Sequence, residues 1–168
     1  MLFLLAAISR LIPHPANFTP VGAIGIYAAK KYGYKKAILI TMCAMIAGDI
    51  FIGFGQYTTF VYLGILSYIF FQKIFEKMKL SPLLAALSGS IFFFLISNFG
   101  TWIGPWYEHS FDGLQKCFIM AIPFYKNTLF GDLIFTGILF GLDYAINKSK
   151  GRLPWQASLR PMNLRQKS

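Results

Sequence analysis

Long apolar runs dominate the pattern of hydrophobic and polar positions along the chain. Four of them, residues 37–54, 57–75, 83–103 and 129–146, contain few charges. Each has close to the roughly 20 residues that an α-helix needs to cross the hydrocarbon of a bilayer. Two shorter apolar segments precede them, at residues 2–12 and 21–29. These segments predict either two short tilted spans or one re-entrant hairpin. The pattern therefore predicts an all-α integral membrane protein, a compact bundle of about six transmembrane helices.

The segment between the last two long runs has a weaker helical pattern. Leu114, Phe118 and Ile119 recur at helical spacing within residues 113–122. This spacing predicts a short interfacial helix that leads to Pro123 and is separate from the last span.

Composition and charge agree with a lipid environment. Hydrophobic residues make up 56% of the chain and charged residues 13%, which excludes an ordinary soluble domain. The net charge is +10, but thirteen of the sixteen Lys and Arg lie in residues 30–36, 73–79 and 148–167, beside apolar runs. This distribution indicates membrane topology rather than nucleic-acid binding.

The positive-inside rule assigns these basic segments to the cytoplasmic side. Both termini are then cytoplasmic, with residues 1–150 forming the transmembrane domain and residues 151–168 a basic tail. The first segment lacks a basic leader and an obvious cleavage site, so we expect a retained helix and not a signal peptide. The expected location is the inner (cytoplasmic) membrane.

Polar side chains recur at one depth, near the outer ends of the predicted helices. Asp49, Asn98, Asn127 and Asp132 share this level. An ionisable group within hydrocarbon costs a few kcal/mol, so it normally faces the bundle interior and marks a site. Two loops close over the same end, residues 14–20 and 106–109, and add His14, Asn17, Thr19 and Trp106. The sequence predicts a pocket open to the outside.

Several of these residues also have a structural explanation. Asp49 could instead hold neighbouring helices together by hydrogen bonds, and Asn98 could stabilise a helix end. Asp132 lies near the predicted start of the last span, where the helix macrodipole favours a carboxylate without any ligand. Asp143, near the cytoplasmic end, is expected to pair with a lysine.

Cys117 and His14 have two interpretations as well. The Cys117 thiol could touch a ligand at the outer mouth or could pack as a small hydrophobe, and His14 could be a ligand residue or a surface histidine. Aromatic side chains near the same end would contact a flat, partly apolar ligand or lipid, and Trp102 or Trp106 could stack on such a ligand. They are Phe92, Phe93, Phe94, Phe99, Trp102, Phe124 and Tyr125.

No enzyme motif is present in the sequence. HExxH, P-loop and GxSxG patterns are absent, and the two cysteines have no metal-type or disulfide spacing. We therefore expect a binding or transport protein with no cofactor and no metal. Any ATP hydrolysis that powers transport belongs on separate chains.

Three blocks of sequence resemble a family of uncharacterised bacterial membrane proteins, and that family is similar to the substrate-binding S components of energy-coupling-factor (ECF) vitamin transporters. The blocks are RLIPHPANFTPVGA at 10–23, SNFGTW at 97–102 and AIPFYKNTLFGD at 121–132. The resemblance covers nearly the entire chain. It implies capture of a vitamin or related micronutrient in a pocket near the outer face, roofed by the loops after the first and fifth helices.

The resemblance also implies a partner. S components commonly dock on a transmembrane coupling protein with two ATPase subunits, through an Ala-x-x-x-Ala face on the first helix. This chain has Ala6 and Ala7 but Arg10, so that face is absent in that form. A solitary importer is therefore also open, as for some cobalamin-specific relatives. For cobalamin, His14, His109 or Cys117 would meet the cobalt.

The sequence thus favours a substrate-binding membrane subunit, S-component-like, for micronutrient uptake. One rival is a membrane enzyme acting on a lipid or prenyl substrate, with Asp49, Asp132 and His14 as acid–base groups. Another is a scaffold subunit of a membrane complex. The expected substrate-binding residues are His14, Asn17, Thr19, Asp49, Asn98, Trp102, Trp106, Cys117, Asn127 and Asp132.

Overall fold

The computed structural model describes residues 2–149, and the regular structure in that range consists of six α-helices without strands. The predicted basic tail, residues 151–168, lies outside the described residues. The helices are α1 (Leu2–Leu11), α2 (Val21–Tyr32), α3 (Tyr34–Ile52), α4 (Thr58–Lys77), α5 (Pro82–Ile103) and α6 (Phe111–Ser149).

Local sequence explains where several helices begin and end. Gly33 and Gly53 have φ angles of 88° and 103°, a region open to glycine, and they follow α2 and α3. Ser81 caps α5 by accepting a hydrogen bond from the Leu83 amide at 3.2 Å, and Pro82 takes the first helical position, where its missing N–H costs nothing.

Three helices, α4, α5 and α6, are long and apolar enough to span a membrane. Helix α3 has 19 residues, with Lys35 and Lys36 in its first turn. Helices α1 and α2 have 10 and 12 residues. At about 1.5 Å per residue they are about 15 and 18 Å long, well short of the roughly 30 Å hydrocarbon core. The structure thus supports membrane association through three helices, whereas the prediction of six spans is confirmed only in the number of helices.

Helix α6 differs from the prediction. A separate interfacial helix over 113–122 was expected to end near Pro123, but α6 continues through Pro123 for 39 residues in all. Proline removes only the hydrogen bond to the carbonyl of Ile119, and apolar helices tolerate this loss when their flanks pack well. The predicted break is therefore wrong, and α6 is about 58 Å long.

Helix α2 occupies the centre of the bundle. It packs against each of the other five helices, and eight of its 12 residues are buried. Its glycines allow close approach: a Cβ on Gly22 would lie 2.7 Å from the Tyr68 ring, and a Cβ on Gly25 would lie 3.3 Å from Thr41 Oγ1. Polar groups on the surrounding helices can therefore converge around α2.

Ionic contacts join the helices at one end of the bundle, which we term the lysine-rich end. Lys30 Nζ donates to Glu76 at 2.8 Å, and Lys31 forms an ion pair with Asp143. Tyr27 also donates to Asp143 at 2.8 Å. The expected pairing of Asp143 with a lysine is confirmed. The opposite end carries the connections 12–20, 53–57 and 104–110, and we term it the loop end.

Candidate functional site

Two adjoining cavities lie between the helices near the loop end. The first cavity, of about 190 Å³, is lined by residues from all six helices and from the 12–20 loop. The second cavity, of about 240 Å³, lies between α4, α5 and α6 under the same loop. Both are lined by Asn17, Val61, Phe93 and Thr128, so these residues form their common boundary.

Asp132 is the central polar group of the first cavity. Its side chain is buried, and its Oδ2 accepts hydrogen bonds from the hydroxyls of Tyr68 and of Ser90, the latter at 2.6 Å. Among the described residues no donor reaches Oδ1. Gly22 makes room for this oxygen, because a Cβ there would lie 2.8 Å from it. The structure thus leaves one carboxylate oxygen able to accept from a ligand.

The position of Asp132 within α6 removes one explanation for its presence. The macrodipole interpretation needs a helix that begins just before this residue, but α6 begins at Phe111. The dipole effect fades within the first turn, so it does not stabilise a carboxylate this far along the helix. The two hydroxyl donors from α4 and α5 stabilise it instead.

Asp49, the other predicted acidic residue, has a different role. It forms an ion pair with Arg10, and its Oδ2 accepts from Tyr62 at 2.7 Å. Arg10 also donates to the Met45 carbonyl at 2.6 Å. Asp49 is not among the described residues that line either cavity, although Arg10 lines the first. Asp49 therefore holds α1, α3 and α4 together, and both its oxygens are occupied, which weakens its assignment as an acid–base group.

Five of the ten predicted site residues line the cavities. His14, Asn17, Thr19 and Asp132 line the first, while Asn17 and Asn98 line the second. The His14 ring is positioned by a contact of 2.5 Å between Nδ1 and the carbonyl of Ile12. The 12–20 loop, α5 and α6 therefore contribute predicted residues to the two adjoining cavities, although Asp132 contacts Ser90, eight residues deeper along α5 than Asn98.

The other predicted residues besides Asp49 lie outside the described cavity walls. Trp102 donates from its indole N–H to the Glu108 carbonyl at 3.0 Å, and Trp106 is 73% exposed. Cys117 is buried, with its Sγ 3.5 Å from the Asn98 carbonyl. Asn127 donates to the Ala16 carbonyl at 3.1 Å and so ties the roofing loop to α6. Trp102, Cys117 and Asn127 thus contact the backbone of neighbouring segments, and their assignment as substrate-binding residues stays a prediction.

The residues proposed to meet cobalt do not converge. His14 lines the first cavity, Cys117 is buried against α5, and His109 packs on the Trp102 ring with centroids 5.7 Å apart. Cavities for drug-sized ligands measure roughly 300–1,000 Å³, so each cavity alone fits a smaller group, and a corrinoid is far too large. Cobalamin as the bound compound stays a prediction that neither cavity supports.

Four residues that contact the predicted acidic residues or line the cavities were not predicted from the sequence. Tyr68 and Ser90 hold Asp132, Thr128 lies at the boundary of the cavities, and Arg10 neutralises Asp49. A signal for Arg10 was available, since a buried arginine requires a carboxylate partner and few carboxylates lie in apolar runs. The hydroxyls gave no comparable signal, because serine and tyrosine enter apolar helices at little cost.

The described residues thus define a helical bundle, apolar enough in three helices to associate with a membrane, with a buried carboxylate beside a cavity. The chain belongs to a family of unknown function, DUF6580, which matches it over residues 1–154. No curated protein and no solved structure matches the chain. The family agrees with the expected uncharacterised family, and the comparisons provide no link to S components.

Proposed function

We propose that this protein is a multi-pass inner-membrane protein that captures a small micronutrient, a vitamin or a related compound, as an S-component-like binding subunit of an uptake system. The observation that carries the proposal is Asp132. This carboxylate is 3% exposed, lines the first cavity and has hydroxyl partners on one oxygen only.

The charges around the first cavity indicate the kind of ligand. Arg10 and Asp132 both line it, but Arg10 is already paired with Asp49. Among the described residues, Asp132 is therefore the acidic side chain of this cavity that has no cationic partner. A buried carboxylate is stabilised by a cation or by strong hydrogen-bond donors, so we expect the ligand to present an ammonium, amidinium or similar group to it.

The expected topology supports capture from outside. Lys30, Lys31 and Lys77 lie at the end of the bundle opposite the cavities. On the positive-inside rule the lysine-rich end is cytoplasmic, which directs the cavities outward. Because the sequence has no P-loop, ATP-driven import would need a separate coupling protein with ATPase subunits.

Thermal unfolding of the detergent-purified protein with a panel of vitamins and their precursors tests the proposal. We expect at least one cationic or donor-rich compound to raise the Tm of the wild type. Asp132→Asn, which keeps the shape but removes the charge, should abolish this shift. The matched control is Asp143→Asn at the lysine-rich end, which should keep it. A compound whose stabilising effect survives Asp132→Asn contradicts the proposed site.

A further inference from the structure

The second cavity differs in chemistry from the first. Its walls include five aromatic side chains, and the rings of Phe94 and Tyr125 lie with centroids 4.8 Å apart. No charged side chain lies among the described residues that line it. The aromatic members are Phe93, Phe94, Phe124 and Tyr125, together with Tyr57 at the end of the cavity near α4. Such walls favour a flat apolar group.

Polar groups occur on the α5 side of the second cavity. Asn98 donates its Nδ2 to the Phe94 carbonyl at 2.7 Å, and none of the residues within 2–149 donates to its Oδ1. Ser97 and Thr101 also line this side and use their hydroxyl protons on α5 carbonyls. The cavity therefore offers acceptors beside its aromatic walls. An alkyl chain would leave these acceptors without partners, which is costly in a buried site.

The two cavities adjoin one another below the roofing loop. Asn17, with a φ angle of 64°, belongs to the walls of both, as do Phe93 and Thr128. Each cavity is smaller than the roughly 300–1,000 Å³ used by drug-sized ligands, but the two taken together fall within that range. A single elongated molecule therefore fits them better than two separate ligands.

We infer that one ligand occupies both cavities, with a cationic or hydrogen-bond-donating group on Asp132 and a flat aromatic ring in the second cavity. The ring packs against Phe94 and Tyr125, and a donor on the ring's edge reaches Asn98 Oδ1. This inference rests on the proposed function and adds the substrate class to it: a compact aromatic or heteroaromatic cation.

Three small probes separate the contributions of charge and ring. Phenethylamine carries both, ethylamine carries only the ammonium group, and ethylbenzene carries only the ring. Their affinities for the detergent-purified protein can be measured by isothermal titration or from the dose dependence of the Tm. We expect phenethylamine to bind about tenfold or more tightly than either of the others, because it alone buries the ring and meets the carboxylate.

Two methionine substitutions on α5 test where the ring binds. Ser97→Met fills the second cavity without touching Asp132, whereas Leu95→Met changes the exposed face of the same helix. Ser97→Met should remove the advantage of phenethylamine over ethylamine and leave ethylamine binding unchanged. Leu95→Met should leave both affinities as in the wild type.

The outcomes separate this inference from the proposed function. Equal binding of phenethylamine and ethylamine, no amine binding at all, or equal effects of the two methionine variants overturns the two-cavity ligand. Ethylamine binding that depends on Asp132 would still support the proposed function. Amine binding that Asp132→Asn leaves unchanged contradicts both.

Discussion

Asp49 and Asp132 are both buried carboxylates near the loop end, with 6% and 3% exposure. Asp49 has a cation, Arg10, and a tyrosine hydroxyl, so both its oxygens are occupied. Asp132 has two hydroxyls on one oxygen and a cavity beside it. Burial alone therefore does not identify a binding residue. What distinguishes the candidate site is a carboxyl group that lines a cavity and has no cationic partner among residues 2–149.

A glycine accompanies each carboxylate, and the two glycines face different neighbours. A Cβ on Gly48 would lie 2.7 Å from Nη1 of Arg10, the far end of a flexible side chain. A Cβ on Gly22 would lie 2.7 Å from the Tyr68 ring and 2.8 Å from Asp132 Oδ1, both deeply buried. The Asp49 site can therefore adjust, whereas the Asp132 site is fixed by packing.

The largest expected effect comes from removing the counter-charge of Asp49. Arg10→Met leaves this carboxylate buried without a cation, so we expect a loss of about 3–5 kcal/mol in unfolding free energy. Thermal or denaturant unfolding in detergent measures it. The double variant Arg10→Met, Asp49→Leu should recover most of the loss, because no unpaired charge remains. Full stability of the single variant would refute the ion pair's structural role.

We expect the tyrosines of the two sites, Tyr68 and Tyr62, to differ in how much they stabilise the fold. Tyr68→Phe leaves Asp132 with only Ser90 as a donor, and a hydrogen bond to a charged group contributes about 1.5–3 kcal/mol. Tyr62→Phe should cost less, since Arg10 still neutralises Asp49. Parallel Tm measurements on the two variants check the order. A larger loss of Tm for Tyr62→Phe than for Tyr68→Phe would contradict this order.

Alanine substitutions at the glycines beside the two carboxylates are expected to differ in their effect on stability. Gly22→Ala overpacks a rigid site and is expected to destabilise the protein by about 1–3 kcal/mol. Gly48→Ala should cost less, because the Arg10 side chain can move. Gly137→Ala is the matched control, since nothing lies within 4 Å of an added Cβ there. Chemical denaturation of the three variants gives the ranking, and equal losses at positions 22 and 137 would show that the close contact at Gly22 is unimportant.

The smallest effect is expected at the lysine-rich end. Asp143 pairs with Lys31, whose side chain is 42% exposed, and partly exposed ion pairs contribute less than about 1 kcal/mol. Asp143→Asn should therefore shift the Tm only slightly, and added salt should reduce the difference from wild type. A loss as large as that of Arg10→Met would mean that exposure is a poor guide to the strength of these pairs.

Most of the helices could be predicted from the sequence, because the length and apolarity of a segment are local properties. Helices α3, α4 and α5 lie close to the predicted runs. The continuity of α6 through Pro123 could not be predicted in this way. A proline favours a local break, which the local pattern indicates, whereas the packing of Phe118 and Tyr125, on either side of it, against Phe94 of α5 depends on the tertiary structure.

The candidate site could be predicted in part, but not in rotation, partners or exact depth. Asp132 and Asn98 both line cavities, but Asp132 contacts Ser90, eight residues deeper along α5 than Asn98, whereas Cys117 and Trp106 line neither cavity. Depth follows from position along a helix, while orientation depends on which helices are neighbours. The central position of α2 determines those neighbours, and no local pattern in the sequence indicated it.

The shortness of α2 has a consequence for biogenesis. Eight of its 12 residues are buried among the other five helices, and four of those, α3, α4, α5 and α6, are synthesised after it. In a bilayer such a short segment gains little from insertion on its own, because it cannot bridge the hydrocarbon. We therefore expect α1 and α2, although they are synthesised before the other helices, to adopt their final position only after α4, α5 and α6 have been delivered to the membrane.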